Sequence, residues 1–124
     1  MKLYRFIGEN EFKKIIAGET LENKTDWRDI YDTNSIGFCF FQYNRTNNIN
    51  KIINNVLDNW GFAGIVDNSF LIEIEIEKAR KSWGFYPDGF KTEYNLTEYS
   101  IKNVKNIYKV EKDINYDYIG IKVF

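Results

Sequence analysis

The chain predicts an α+β fold: a single compact domain, 1–124, with two main helices packed on a mainly antiparallel, twisted or split β-sheet. Three observations carry this. Two amphipathic helical stretches lie in the N-terminal half, and strand-like alternation concentrates in the second half. The length of 124 residues suits one hydrophobic core. With 10 Phe, 9 Tyr and 3 Trp, the chain can fill that core and still place aromatic rings at a surface or in a pocket.

The elements follow in order. Leu3–Ile7 is short, apolar and aromatic, and predicts a first strand. Glu9–Ala17 brings Phe12, Ile15 and Ile16 to one helical face, with acidic residues in its first turn and Gly18 as its stop. Glu19–Asn34 is polar and predicts mostly loop, anchored by Trp27 and Tyr31. Ser35–Gln42 is apolar on both faces, so it predicts a central strand covered on both sides. Thr46–Trp60 carries the clearest helix: Ile49, Ile52, Ile53, Val56, Leu57 and Trp60 share one stripe. Thr46 is placed to cap its start and Gly61 to end it, while Asn47, Asn48, Asn54, Asn55 and Asn59 are expected on the wet face. Phe70–Glu77 alternates strictly and predicts a half-buried strand, with Glu73, Glu75 and Glu77 as a solvated stripe. Lys81–Thr92 is rich in turn residues and predicts a loop. Tyr94–Ile101, Val104–Glu111 and Tyr118–Phe124 predict the last three strands.

Charge and chemistry narrow the function classes. The 17 basic and 18 acidic residues leave a net charge of −1, so no strong field draws the chain to nucleic acid or an anionic membrane. No apolar run approaches the roughly 18 residues of a membrane helix. The single Cys39 cannot form an internal disulfide, which suits a reducing, cytoplasmic setting. Cys39 also lies in an aromatic run and is expected to be buried and inert. There is no His, so no Ser-His-Asp or Cys-His arrangement and no imidazole base exists. No metal site is expected. Any chemistry falls to carboxylates, Arg, Lys, Tyr, backbone groups or a borrowed cofactor.

Polar residues inside core-type segments are the informative exceptions. Arg5 interrupts the first strand, and a charge there must be exposed or paired. It reads either as a ligand grip or as a structural ion pair with Glu93 or another acid. Glu93 and Glu98 accompany a late strand. Trp83 and Tyr86 stand beside glycines in a loop, as pocket walls or as caps on the core. Asp26, Arg28 and Asp29 flank Trp27 as a charged loop edge.

The order of an Arg-bearing strand, a short helix ending in Gly, a glycine-marked strand and a late Glu resembles small members of the ADP-ribosyltransferase superfamily. That resemblance implies NAD bound in a cleft between two small sheets. Arg5, with Tyr4 beside it, would take the first family position. Ser35, within Ser35–Phe40, would take the second, and Glu93 or Glu98 the catalytic third. Phe38, Trp83 or Tyr86 would stack on nicotinamide, and the glutamate would hold the ribose as nicotinamide leaves. The chain departs from the family in having Ser-Ile-Gly at the second position and its two acids five residues apart. It is also similar to small uncharacterised proteins of bacteria and phages, through Tyr4-Arg5-Phe6, Gly37–Phe41, the loop Trp83–Asp88, and Glu93, Tyr94, Thr97 and Tyr99. That likeness implies a host-conflict role, in which a non-catalytic domain from a phage or mobile element inhibits a host defence complex by protein–protein binding. A nucleotide binder without turnover is the third reading.

Overall fold

Period-two alternation along β1 (Lys2–Ile7) sends Leu3 and Ile7 to one face of a sheet and Tyr4 to the other, and all three are buried. The computed structural model describes residues 1–23, 38–60, 69–81, 91–115 and 117–124. Within these, β1 is followed by α1 (Glu9–Ile16), β2 (Leu21–Glu22), β3 (Phe38–Tyr43), α2 (Ile49–Trp60) and β4 (Phe70–Glu75). Then come β5 (Arg80–Lys81), β6 (Lys91–Leu96), β7 (Glu98–Tyr99), a 3₁₀ turn (Ile101–Asn103), β8 (Val104–Lys112) and β9 (Tyr118–Lys122). The main sheet has seven strands in the order β5-β6-β3-β1-β4-β8-β9, and β2 pairs with β7 in a separate ribbon. Among the described residues every pairing is antiparallel. The fold is α+β, dominated by its sheet.

Each face of the sheet carries its own core. On one face Leu3, Ile7, Phe40, Phe70, Ile72, Ile74 and Ile107 pack with Ile15 of α1 and Tyr99 of the ribbon. On the other, Tyr4, Phe41, Tyr43, Leu71 and Val110 pack beneath Ile52, Ile53 and Val56 of α2. The expected helical stripe is thus core at Ile52, Ile53 and Val56. The expectation for the third strand also holds at Phe40 and Phe41, which are buried on opposite faces. Cys39 departs from it: it is exposed, because the cover that α2 provides begins at Phe41.

Local chemistry sets the helix ends. Gly18 stops α1 with φ of +86°, a backbone state that glycine adopts at little cost. The Gly18 N–H donates to the Ile15 carbonyl and the Glu19 N–H to that of Lys14, closing the last turn. At α2 the cap is Asn48 rather than Thr46. The Asn48 Oδ1 accepts from the Lys51 N–H, while Thr46 Oγ1 accepts from the Asn48 N–H one step earlier.

Two strand expectations change. β4 is covered on both faces, not half-buried: α2 packs over Leu71, and Glu73 is buried beside it among Lys2, Tyr4, Asn106 and Tyr108. The buried Glu73 carboxylate accepts from Asn106 Nδ2 at 3.0 Å and pairs with Lys2 Nζ at 3.4 Å. Tyr94–Ile101 is not one strand. It bends at Thr97, so β6 stays in the main sheet while β7 leaves to pair with β2. Asn103 and Ser100 form reciprocal caps on the turn that follows.

Candidate functional site

Arg5 projects from β1 between Leu3 and Ile7, on the face that α1 covers. A guanidinium there needs a partner, and the tight strand–helix connection at Gly8 supplies Glu11 from the first turns of α1. Arg5 Nε donates to Glu11 Oε2 at 3.1 Å and one terminal nitrogen donates to Oε1 at 3.0 Å. The other terminal nitrogen donates to the Cys39 carbonyl at 3.1 Å. The guanidinium carbon also lies 5.2 Å from the Phe38 ring centroid and 5.9 Å from that of Phe40. Burial opposes the charge on Arg5, but the Glu11 hydrogen bonds and charge outweigh it and hold the pKa above the ordinary value.

Tyr99 closes this cluster from above. It is 1% exposed and meets Phe38 and Phe40 edge-on, with centroids 5.2 and 5.1 Å away. Burial first, and then the Glu11 charge, push its pKa up, while Arg5 works against them. Its hydroxyl lies within the field of Glu11 and Arg5 yet makes no well-formed hydrogen bond to any described residue. Beside the cluster is a cleft of about 320 Å³, lined by Asn10, Glu11 and Lys14 of α1, Leu21 and Glu22 of β2, and Phe38 of β3.

The structure brings Arg5 and Phe38 together and places Tyr4, Glu93 and Glu98 elsewhere. Tyr4 points to the opposite face, 5.8 Å from the Phe41 ring. Burial and then Glu73 push its hydroxyl up to about 12. Glu93 is in register with Phe41, so it also leaves the sheet on the α2 face, away from Arg5. Glu98 is exposed on the ribbon opposite Glu22, while its neighbour Tyr99 turns inward. Ser35, Trp83 and Tyr86 lie outside the described residues, as does the Asp26–Asp29 edge. The sequence reading missed Glu11, and it took Tyr99 only as part of the late-strand motif. The signal for Glu11 was its spacing: six residues after Arg5 across a strand–Gly–helix junction, it must fold back over the strand. Among the described residues no group of His, Cys, Asp or Glu is arranged to hold a metal.

A second cleft of about 340 Å³ runs between α2 and β9. Asn50, Asn54 and Asp113 in its lining are already engaged. Asn54 takes both the N–H and the carbonyl of Tyr118, Asn50 Oδ1 accepts from the Gly120 N–H, and Asp113 Oδ1 accepts from the Asn115 and Asp117 N–H groups. This is a structural seam.

No protein-family profile and no curated protein matches the chain. The fold is similar to the crystal structure of protein CC0527 from Caulobacter crescentus, with a TM-score of 0.55 and 12% identity, covering 96% of this chain and 94% of that one. A double mutant of CC0527 aligns over the same shares with a TM-score of 0.54 and 12% identity. At such identity the likeness concerns the fold alone. Among the described residues no helix is long and apolar enough to cross a membrane.

Proposed function

We propose that this protein is a non-catalytic binding domain that acts by contact with a protein partner. The observation that carries the reading is the placement of Arg5 and Glu93 on opposite faces of the sheet. Transfer of ADP-ribose needs a grip on the dinucleotide and a carboxylate at the same ribose. Here the grip is occupied by Glu11, and Glu93 faces the α2 side. Partner binding is further supported by Ile121, Val123 and Phe124, which are 43–46% exposed along the last strand and its extension. Large apolar side chains at a sheet margin suit an interface.

A second reading has one observation in its favour. Arg5 and Phe38 stand together beside a cleft of at least the volume a small ligand needs, so a nucleotide could bind there without turnover. Calorimetric titration with NAD separates the readings. The expected result is no binding at millimolar NAD. Binding lost in both Arg5→Lys and Glu93→Gln would restore the transferase reading and overturn the proposal. Binding lost in Arg5→Lys and Phe38→Leu but kept in Glu93→Gln would establish the nucleotide binder instead.

A further inference from the structure

We propose that β9 carries an edge complementary to β9 of a second copy of this chain, and that Asn50 and Asn54 of α2 hold that edge closed. The inference goes beyond the protein-binding reading and does not rest on it. Among the described residues β9 is the last strand of the main sheet and pairs with β8 alone. The Val123 N–H donates to the Ile107 carbonyl of β8, so by alternation the backbone groups of Tyr118, Gly120 and Lys122 point away from β8. Asparagine side chains meet Tyr118 and Gly120 there, in place of a strand. Asn54 takes the N–H and the carbonyl of Tyr118 at 2.9 and 2.7 Å, and Asn50 Oδ1 accepts from the Gly120 N–H at 2.9 Å.

The sequence of the strand says what would cover the edge. Ile119-Gly120-Ile121 reads the same in both directions. An antiparallel copy centred on Gly120 sets Gly120 against Gly120, Tyr118 against Lys122 and Ile119 against Ile121. Residues 118, 120 and 122 of both copies then point at one another, the parity that ladder hydrogen bonds require. The side chains agree as well. Gly120 lies under Ile49 and Ile53 of α2, so Ile121 turns to the other face, where it is 43% exposed. In the pairing it would lie beside Ile119 of the second copy, and no like charges would stand opposite each other. A register centred on Lys122 would oppose two ammonium groups instead. The backbone groups that the asparagines satisfy are the ones a second copy would use, so the two arrangements exclude each other. An edge of this kind, left open, is a template for pairing.

The test is light scattering after size exclusion, over a wide range of protein concentration. The wild type is expected to stay a monomer. The double variant Asn50→Ala/Asn54→Ala should reach twice the chain mass as concentration rises. Exchange protection at the Tyr118 and Gly120 amides, lost in the dilute variant, should return with the dimer. Ile121→Lys added to the double variant should restore the monomer, because it sets a charge among the apolar side chains of the new contact. Ile72→Val trims the core on the opposite face and should lower the urea midpoint without dimerisation, which separates an opened edge from lost stability. Should the double variant fail to fold, Asn54→Ala alone frees both groups of Tyr118 and carries the same measurement. A dimeric wild type, or a latch variant that is monomeric at every concentration, overturns the proposal. So does a dimer that Ile121→Lys leaves intact or that Ile72→Val forms equally well.

Discussion

At the scale of single residues, the asparagines of α2 do work that composition conceals. The sequence puts Asn54 and Asn55 on a wet face. Instead, Asn54 Nδ2 donates to the Tyr118 carbonyl at 2.7 Å and its Oδ1 accepts from the Tyr118 N–H at 2.9 Å, as a neighbouring strand would. Asn55 Nδ2 donates to the Tyr43 hydroxyl. β9 is an edge strand, and unpaired backbone there is a template for unwanted pairing. Asn54→Ala is therefore expected to destabilise the fold by about 1–3 kcal/mol, the sum of two modest hydrogen bonds. Hydrogen exchange at the Tyr118 amide should accelerate in the variant. Unchanged protection there would mean that the edge is held by β8 alone. None of this is legible from one sequence, because an amide that caps a distant strand and an amide that faces water obey the same helical spacing. Arg5 was legible as a problem, since a charge in a core strand demands a partner. The identity of that partner was not, because Glu11 and Glu93 satisfy the demand equally until the fold is known.

At the scale of elements, the apolar pattern located β1, α1, β4, β8, β9 and the stripe of α2. It failed where a strand changes sheets. Nothing in Tyr94–Ile101 breaks alternation strongly enough to announce the bend at Thr97, which is decided by the pairing of Leu21 with Tyr99. Burial of Glu73 was illegible for a similar reason: alternation reports two faces, and only the docking of α2 over Leu71 and the side chains of β1 and β8 around Glu73 show that both are covered. That docking has a tight point. A Cβ built on Gly120 would lie 2.9 Å from Ile49 Cγ2, 3.0 Å from Ile53 Cδ1 and 3.1 Å from Tyr108 Cβ. Gly120 thus sets how closely α2 approaches the sheet. Gly120→Ala should cost about 1–3 kcal/mol through overpacking, measured as a lower urea midpoint. Ile53→Val in the same chain should recover part of the loss by removing the Cδ1 methyl that lies 3.0 Å from the new carbon. A neutral Gly120→Ala would show that α2 slides freely on β9.

At the scale of the whole molecule, the two cores on opposite faces of one sheet divide the charged and hydroxylated side chains into two sets. Arg5, Glu11 and Tyr99 belong to one face, and Tyr4, Glu73 and Tyr108 to the other. Both sets share one consequence for stability. Burial pushes Tyr4 up to about 12 with help from Glu73, and raises Tyr99 and Tyr108 in the same direction. In the unfolded chain tyrosine ionises near 10. Between those values the unfolded state holds fewer protons than the folded one, so stability falls as pH rises. The contribution is fully present below about pH 10 and, for Tyr4, is lost as pH climbs through about 12. Urea midpoints should therefore be flat from about pH 7 to 9 and drop steeply above 10. Lysines ionise in the same range, so the decisive comparison is Tyr4→Phe, which removes one raised group and should make the alkaline fall shallower. An equal slope in the variant would mean that Tyr4 ionises in the folded protein as readily as in the unfolded chain, and that the α2-side core admits water around its hydroxyl.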